Sequence, residues 1–166
     1  MNCRNCGAPL VAVDATGNFR CDYCHAYLPA SALEEETADG VRRTGRDLED
    51  NLCPRCESAL EVGLVDGMKV AMCVQCHGIL LPRREFAGLV RHRRAQWQGA
   101  SETAQPLNPQ ELHRAANCPA CLHRMDTYPY AGPGAVVIDC CRECDLIWMD
   151  AGELSRLERA PGARTL

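Results

Sequence analysis

Bulky apolar side chains are scarce here: two Phe, two Trp and four Tyr in 166 residues, 5% aromatic in all. A chain so short of large side chains lacks the usual material for one big packed core, so its stability needs another source. Long apolar runs are missing too. None approaches the roughly 18 residues of a membrane span, and no basic segment with an apolar stretch behind it precedes Cys3. The expectation is a soluble, cytoplasmic protein with no membrane partner. Lysine is almost absent: Lys69 stands alone, so nearly every positive charge is Arg. That bias reads as genomic base composition rather than selection for phosphate forks.

Cysteine, by contrast, is abundant, at 13 residues. Twelve of them fall into six C-x2-C pairs: Cys3/Cys6, Cys21/Cys24, Cys53/Cys56, Cys73/Cys76, Cys118/Cys121 and Cys141/Cys144. In a reducing compartment, cysteines at fixed short spacings are metal ligands more often than disulfides. Each C-x2-C bends the backbone into a knuckle that offers two sulfurs to adjacent corners of a tetrahedron, and a hairpin brings a second knuckle opposite the first. Four thiolates then close the shell, leaving no position for water or substrate, which marks a structural rather than a catalytic zinc. Three structural Zn2+ sites are expected, with iron in the same four-thiolate sites as the minor alternative. Zinc binding is also folding free energy, about 10 to 16 kcal/mol per structural site, and modules below about 40 residues usually need such help.

The pairs belong to a unit that recurs three times. After its fourth cysteine each copy reads HAYLPASAL, HGILLPRREF or DLIWMDAGEL, an apolar pair followed by a helix start and an apolar anchor (Leu33, Phe86 or Leu154). Between knuckles lie hairpin signals: Asp66-Gly67 between apolar runs, Thr16 to Asn18, and Ala131 to Gly134. Asp150-Ala-Gly-Glu153 reads as a capping box, and Asn108-Pro-Gln-Glu111 as a second with Pro109 at the first helical position. A helix is expected over Arg83 to Trp97, with Phe86, Leu89, Val90 and Trp97 at helical spacing. It is longer than one ribbon can cover, so it should touch a second module. The fold class is therefore small, metal-stabilised α+β: three tandem four-cysteine ribbons, each an antiparallel hairpin with a short following helix. The expected boundaries are ribbon 1 over 1–33, an acidic linker over 34–50, ribbon 2 with a basic helix over 51–97, a linker over 98–107, and ribbon 3 with a C-terminal helix over 108–160.

CPRC...CVQCHGILLPRREF and CPAC...IDCCRECDLIWMDAGEL resemble the TFIIB-type zinc-ribbon family of small bacterial and archaeal modules, whose pattern is C-P-x-C, hairpin, C-x2-C-x-G-x-W-L-D-x-G-E-L. The third unit follows it at Cys118, Pro119, Cys121, Cys141, Cys144, Trp148, Asp150, Gly152, Glu153 and Leu154, but has Leu146 where the family has Gly. The second keeps Gly78 but has Leu80 for the Trp and Pro82 for the Asp. The first keeps its cysteines and Gly7 and resembles a generic zinc ribbon. The resemblance implies a structural zinc fold related to transcription-factor ribbons, and transcription itself only by analogy.

Function follows as an expectation. The leading reading is a non-enzymatic scaffold or adaptor that binds protein partners or its own copies, through exposed hairpin surface and strand edges. The alternative is a nucleic-acid-binding or transcription-associated ribbon protein, with Arg83, Arg84, Arg91, Arg94 and Trp97 as contacts. Against that alternative, twelve thiolates and three Zn2+ would take the formal net charge from -4 to about -10, poor for attraction to a phosphate backbone. No small-molecule substrate is expected. The five histidines form no H-E-x-x-H or Cys-His arrangement, and no C-x2-C sits in the βαβ setting of a dithiol redox enzyme. The thirteenth cysteine, Cys140, precedes the knuckle on a strand and reads as a small buried side chain, with Cys141 as the ligand.

Overall fold

The computed structural model describes residues 6, 8, 10–12, 19–28, 37–103, 106–114, 116–130 and 134–162. Cys3, the anchor Leu33, the turn at Thr16 to Asn18 and most of the turn from Ala131 lie outside them. Three short strands, β1 (Leu10–Ala12), β2 (Phe19–Cys21) and β3 (Tyr27–Leu28), form one antiparallel sheet. It has its own small cluster around the buried Cys21.

The remaining strands make a single seven-stranded antiparallel sheet. In chain order they are β4 (Arg42–Leu52), β5 (Ala59–Val65), β6 (Met68–Cys73), β7 (Ile79–Pro82), β8 (Asp126–Pro129), β9 (Val137–Cys141) and β10 (Leu146–Met149). In space they run β4-β5-β6-β7-β10-β9-β8. Asp66-Gly67 turns β5 into β6 with both residues at positive φ, 49° and 80°, the two-residue geometry that a right-twisted hairpin favours. Ribbons 2 and 3 are therefore joined at their third strands rather than strung as separate beads.

That joint has a pseudo-twofold register. Ile79 faces Met149, Leu80 faces Trp148 and Leu81 faces Ile147. Counting from the last cysteine of each unit, Ile79 corresponds to Ile147 and Leu81 to Met149, so exchanging the units maps the pairing onto itself, as in an isologous interface. The corresponding residues Leu80 and Trp148 meet at the centre.

Strand alternation then sorts side chains to two faces. Ile79, Leu81, Ile147 and Met149 point to a core closed by α1 (Arg83–Gln96) and α2 (Glu153–Arg159), with Phe86, Leu89, Leu154 and Leu157. Leu80 and Trp148 point to the other face, among the cysteines of both knuckle pairs. As the length of α1 implied, it reaches the other unit: Phe86 meets Tyr130 edge-on at 5.0 Å between ring centroids.

Three expectations need correction. The acidic linker over 34–50 is built into the fold from Thr37 onward. Val41 is fully buried, Arg42–Leu52 is an eleven-residue strand on β5, and Arg43 forms a two-pronged ion pair with Glu61 at 2.7 and 3.0 Å. Charge misled because β4 is an edge strand whose outward residues are solvated. The Asn108 segment forms a 3-10 turn, Pro109–His113, rather than an α-helix, although Asn108 does accept the Gln110 N–H at 3.1 Å. The outer edges are also poor templates for a partner strand. β4 is broken by irregularities between Arg43 and Arg46 and between Leu48 and Leu52, and β8 has four residues and ends in Pro129.

Candidate metal centres

Among the described residues the knuckles share one construction. In four of them the residue after the second cysteine donates its N–H to the carbonyl of the first: His25 to Cys21, Glu57 to Cys53, His77 to Cys73 and Leu122 to Cys118, at 2.8 to 3.0 Å. Those residues and Asp145 all hold φ between 53° and 65°. This left-handed step returns the chain from knuckle to strand, and it sets the two sulfurs side by side.

The thiols of Cys53, Cys56, Cys73 and Cys76 gather within 4.8 Å of one another, and so do those of Cys118, Cys121, Cys141 and Cys144. Sulfur pairs lie at 3.5 Å (Cys53 and Cys76), 3.4 Å (Cys56 and Cys73) and 3.6 Å (Cys121 and Cys141). Those separations are far from a disulfide bond of about 2.05 Å. They are close to the roughly 3.8 Å edge of a tetrahedron with Zn–S bonds of about 2.3 Å. Four soft donors at tetrahedral spacing fit Zn2+. In the first unit Cys6, Cys21 and Cys24 come together, with Cys6 and Cys21 3.4 Å apart; the expected fourth ligand, Cys3, lies outside the described residues.

Hydrogen bonds prepare one thiolate in each complete site. At Cys73 burial pushes the thiol up, but the N–H groups of Cys76 and Gln75 and the Ser58 hydroxyl outweigh it and bring it to about 6. Burial raises Cys76 to about 11, assisted by its neighbour Cys73, and burial raises Cys53 as well. Cys141, the counterpart of Cys73, is lowered despite burial by the Cys144 N–H and the surrounding thiols. Contact with Cys121 raises Cys144 to about 12. Hydrogen bonding thus favours the thiolate at Cys73 in one site and at Cys141 in the other, the form in which a metal takes its sulfur ligands.

Cys140 lies on the opposite face from Cys141. It is buried in the helix-side core, away from the knuckle sulfurs.

Polar contacts fix the two ribbons across the joint. Arg55, inside the knuckle Cys53-Pro-Arg-Cys56, reaches into ribbon 3 and pairs with Asp139 at 2.6 Å and Asp150 at 2.8 Å. Asp150 also accepts the Trp148 indole N–H at 2.9 Å and pairs with Arg114 at 2.9 Å. Its backbone N–H goes to Glu153 at 2.8 Å, which is the reach-back half of the expected capping box. The other half comes from elsewhere: Asp39 caps the start of α2, accepting the N–H groups of Gly152 and Ser155 at 2.6 and 2.8 Å. Burial, with Asp150 nearby, pushes the Glu153 carboxyl up to about 8.

Of the residues singled out as nucleic-acid contacts, three are exposed and two are engaged inside the fold. Arg83, Arg84 and Arg91 are exposed on α1. Arg94 is buried and donates to the Leu157 and Ala160 carbonyls at 2.7 and 3.1 Å, satisfying the C-terminal end of α2. Trp97 packs under the Arg159 guanidinium, 5.1 Å from its ring centroid, and donates to the Ala100 carbonyl. The sequence reading missed Arg55, Asp39 and Arg93; Arg93 ties Asp66 to Glu158 at 3.3 and 2.7 Å. None carried a distinguishing signal: Arg4 and Arg142 stand inside knuckles just as Arg55 does.

Residues 52–92 and 117–160 each match the transcription factor zinc-finger family, the TFIIB-type zinc ribbon, and together they are about half the chain. The chain belongs to that family. Neither a curated protein nor a solved structure shows significant similarity to it.

Proposed function

We propose that the protein is a non-enzymatic zinc-ribbon adaptor acting in the cytoplasm, with three structural zinc ions and a protein partner docked between the knuckles of ribbons 2 and 3. The observation that carries this reading is a cleft of about 390 Å3 lined by Leu52, Pro54, Pro119 and Leu122, with Leu52 55% and Leu122 75% exposed. Leu122 stands out. A large apolar side chain is left in water, and it occupies a left-handed step, φ 65°, where an L-residue costs roughly 1 to 2 kcal/mol more than Gly. The step is shared by the other described knuckles, so it is the apolar exposure that supports a functional surface. The chemistry of the cleft suits an extended apolar segment of a partner. Closed four-thiolate shells, with no open position for substrate, support the non-enzymatic part of the proposal.

Exposed Arg84 and Arg91 on α1 favour a second reading, nucleic-acid binding, as does the row Val11, Arg20, Tyr27 across the first sheet. The loss of Arg94 and Trp97 to internal contacts weakens it. Affinity capture from native extract, with and without nuclease, separates the two. Protein partners that survive nuclease and are lost with Leu52→Ser/Leu122→Gly support the adaptor. Partners lost on nuclease treatment and kept by that variant support the alternative.

A further inference from the structure

The two complete cysteine sites differ in what stands beside their sulfurs. Two residues after Cys56, Ser58 places its hydroxyl 3.0 Å from Cys56 Sγ and 3.2 Å from Cys73 Sγ. Such a hydroxyl donates to a bound thiolate and steadies the shell. Two residues after Cys121 the corresponding position holds His123, and its ring Nδ1 lies 2.8 Å from Glu143. Glu143 in turn corresponds to Gln75 of ribbon 2. The donor atoms of Cys121, His123 and Glu143 lie within 4.8 Å of one another, a second potential ligand group sharing one sulfur with the zinc site. Both new side chains face solvent, His123 69% and Glu143 66% exposed.

We infer that the third site is the exchangeable one, its zinc loaded and released through His123 held by Glu143. A closed four-thiolate shell gives up its ion only when another donor takes the place of a departing sulfur. Ser58 offers ribbon 2 a donated hydrogen bond but no competitive metal donor. Imidazole is a standard zinc ligand, and a carboxylate accepting one ring N–H leaves the other nitrogen's lone pair for the metal. With zinc bound, exchange would be a ligand substitution: the Zn–S bond to Cys121 would break, the sulfur keeping both electrons as thiolate, and a Zn–N bond to neutral His123 would form. No proton or electron is exchanged. Cys121, only partly buried, is the sulfur on the solvent side that shares this donor group. The inference rests on both complete sites holding zinc, and its test measures that separately.

The test uses the full zinc-loaded chain, stopped-flow mixing with excess 4-(2-pyridylazo)resorcinol, and maleimide labelling with mass spectrometry to show which thiols become free in each phase. The expected result is a fast phase that frees Cys118, Cys121, Cys141 and Cys144. His123→Ala and Glu143→Gln should each slow that phase by about tenfold, the lower end of what carboxylate–histidine partners contribute to metal affinity. The phase that frees Cys53 and its partners should keep its rate, and Ser58→His should accelerate it. Unchanged release in His123→Ala at full zinc content overturns the relay while leaving both metal sites standing. A zinc content below two per chain overturns the metal reading and the relay together.

Discussion

Ribbons 2 and 3 share a backbone and differ at the centre of their joint. At the centre of their joint, Trp148 lies against Gly78, while Leu80 and Leu146 occupy the corresponding places on the other side. One side combines the largest side chain with none, and the other combines two of middle size. Each ribbon's departure from the family pattern, Leu80 for Trp in one and Leu146 for Gly in the other, is thus the complement of the other's. Two Trp facing each other at Leu80 and Trp148 would compete for one space on the axis. This asymmetry lets one chain make a joint that two identical ribbons would make less well. The polar lock is one-sided as well: Arg55 and Asp150 on one side correspond to Ala120 and Pro82 on the other.

The harshest way to break the pair is to remove a metal ligand. Cys141→Ser should lose one zinc and much of the about 10 to 16 kcal/mol that a structural site contributes, and because β7 and β10 share hydrogen bonds, ribbon 2 should lose cooperativity with it. Cys140→Ser, on the other face, should retain full zinc content and cost only a core-polarity penalty. Metal analysis with thermal melting checks both, and equal zinc loss in the two variants would reverse the ligand assignment. Arg55→Ala comes next. Asp139 is 2% exposed, and leaving a buried carboxylate unpaired typically costs about 3 to 5 kcal/mol in denaturant unfolding. Ala120→Arg, at the corresponding position, should bring no matching gain, since Pro82 stands where Asp150 would be needed.

A smaller and sharper test concerns Gly78. A Cβ there would press on the Trp148 ring, 2.8 Å from Cη2 and 2.9 Å from Cε2, so Gly78→Leu should cost about 1 to 3 kcal/mol or more by overpacking. Trp148→Leu alone should also destabilise, by leaving a void over Gly78. The double variant rebuilds the Leu–Leu arrangement of the other side and should recover part of both losses, a coupling of about 0.5 to 3 kcal/mol in a double-mutant cycle. Simple additivity would mean the two sides are not complementary.

How much of this was legible follows from the range of each signal. Knuckles, hairpin turns and the α1 stripe are local patterns, and the Asp66-Gly67 turn, the gathering of Cys53, Cys56, Cys73 and Cys76, and the Phe86 anchor could be read from a few neighbouring residues. The β7–β10 joint could not, because an apolar Ile79-Leu80-Leu81 run buried on both faces looks the same whether its partner is a helix, a strand or a second chain. Asp39 shows the same limit. Within a run of acidic residues it looked solvated, yet it is 1% exposed and caps a helix more than 100 residues away. Leu146 and Leu80 were visible as departures from the family pattern, but their complementarity needed the register.

The remaining comparison is a dependence on pH. The folded-state carboxyl of Glu153 titrates at about 8, raised by burial and by Asp150, against 4.5 for an unhindered Glu. The folded chain therefore holds that proton more tightly than the unfolded chain between these values. Stability is greatest on the acid side of the window and falls as pH rises through it, with the cost fully imposed above about 8. Glu153→Gln keeps an oxygen for the Asp150 N–H and removes the charge. The two proteins should have similar midpoints at the acid end of the window. The variant should then gain with rising pH until about pH 8, by at most about 1.4 kcal/mol per pH unit, in zinc-saturated melts from pH 5 to 9. Glu85→Gln, at the half-buried corresponding position of ribbon 2, is the less buried control. Should Glu153→Gln track the parent at every pH, the nearby charge of Arg156 offsets burial at the carboxyl, and the two ribbons would be alike at this position after all.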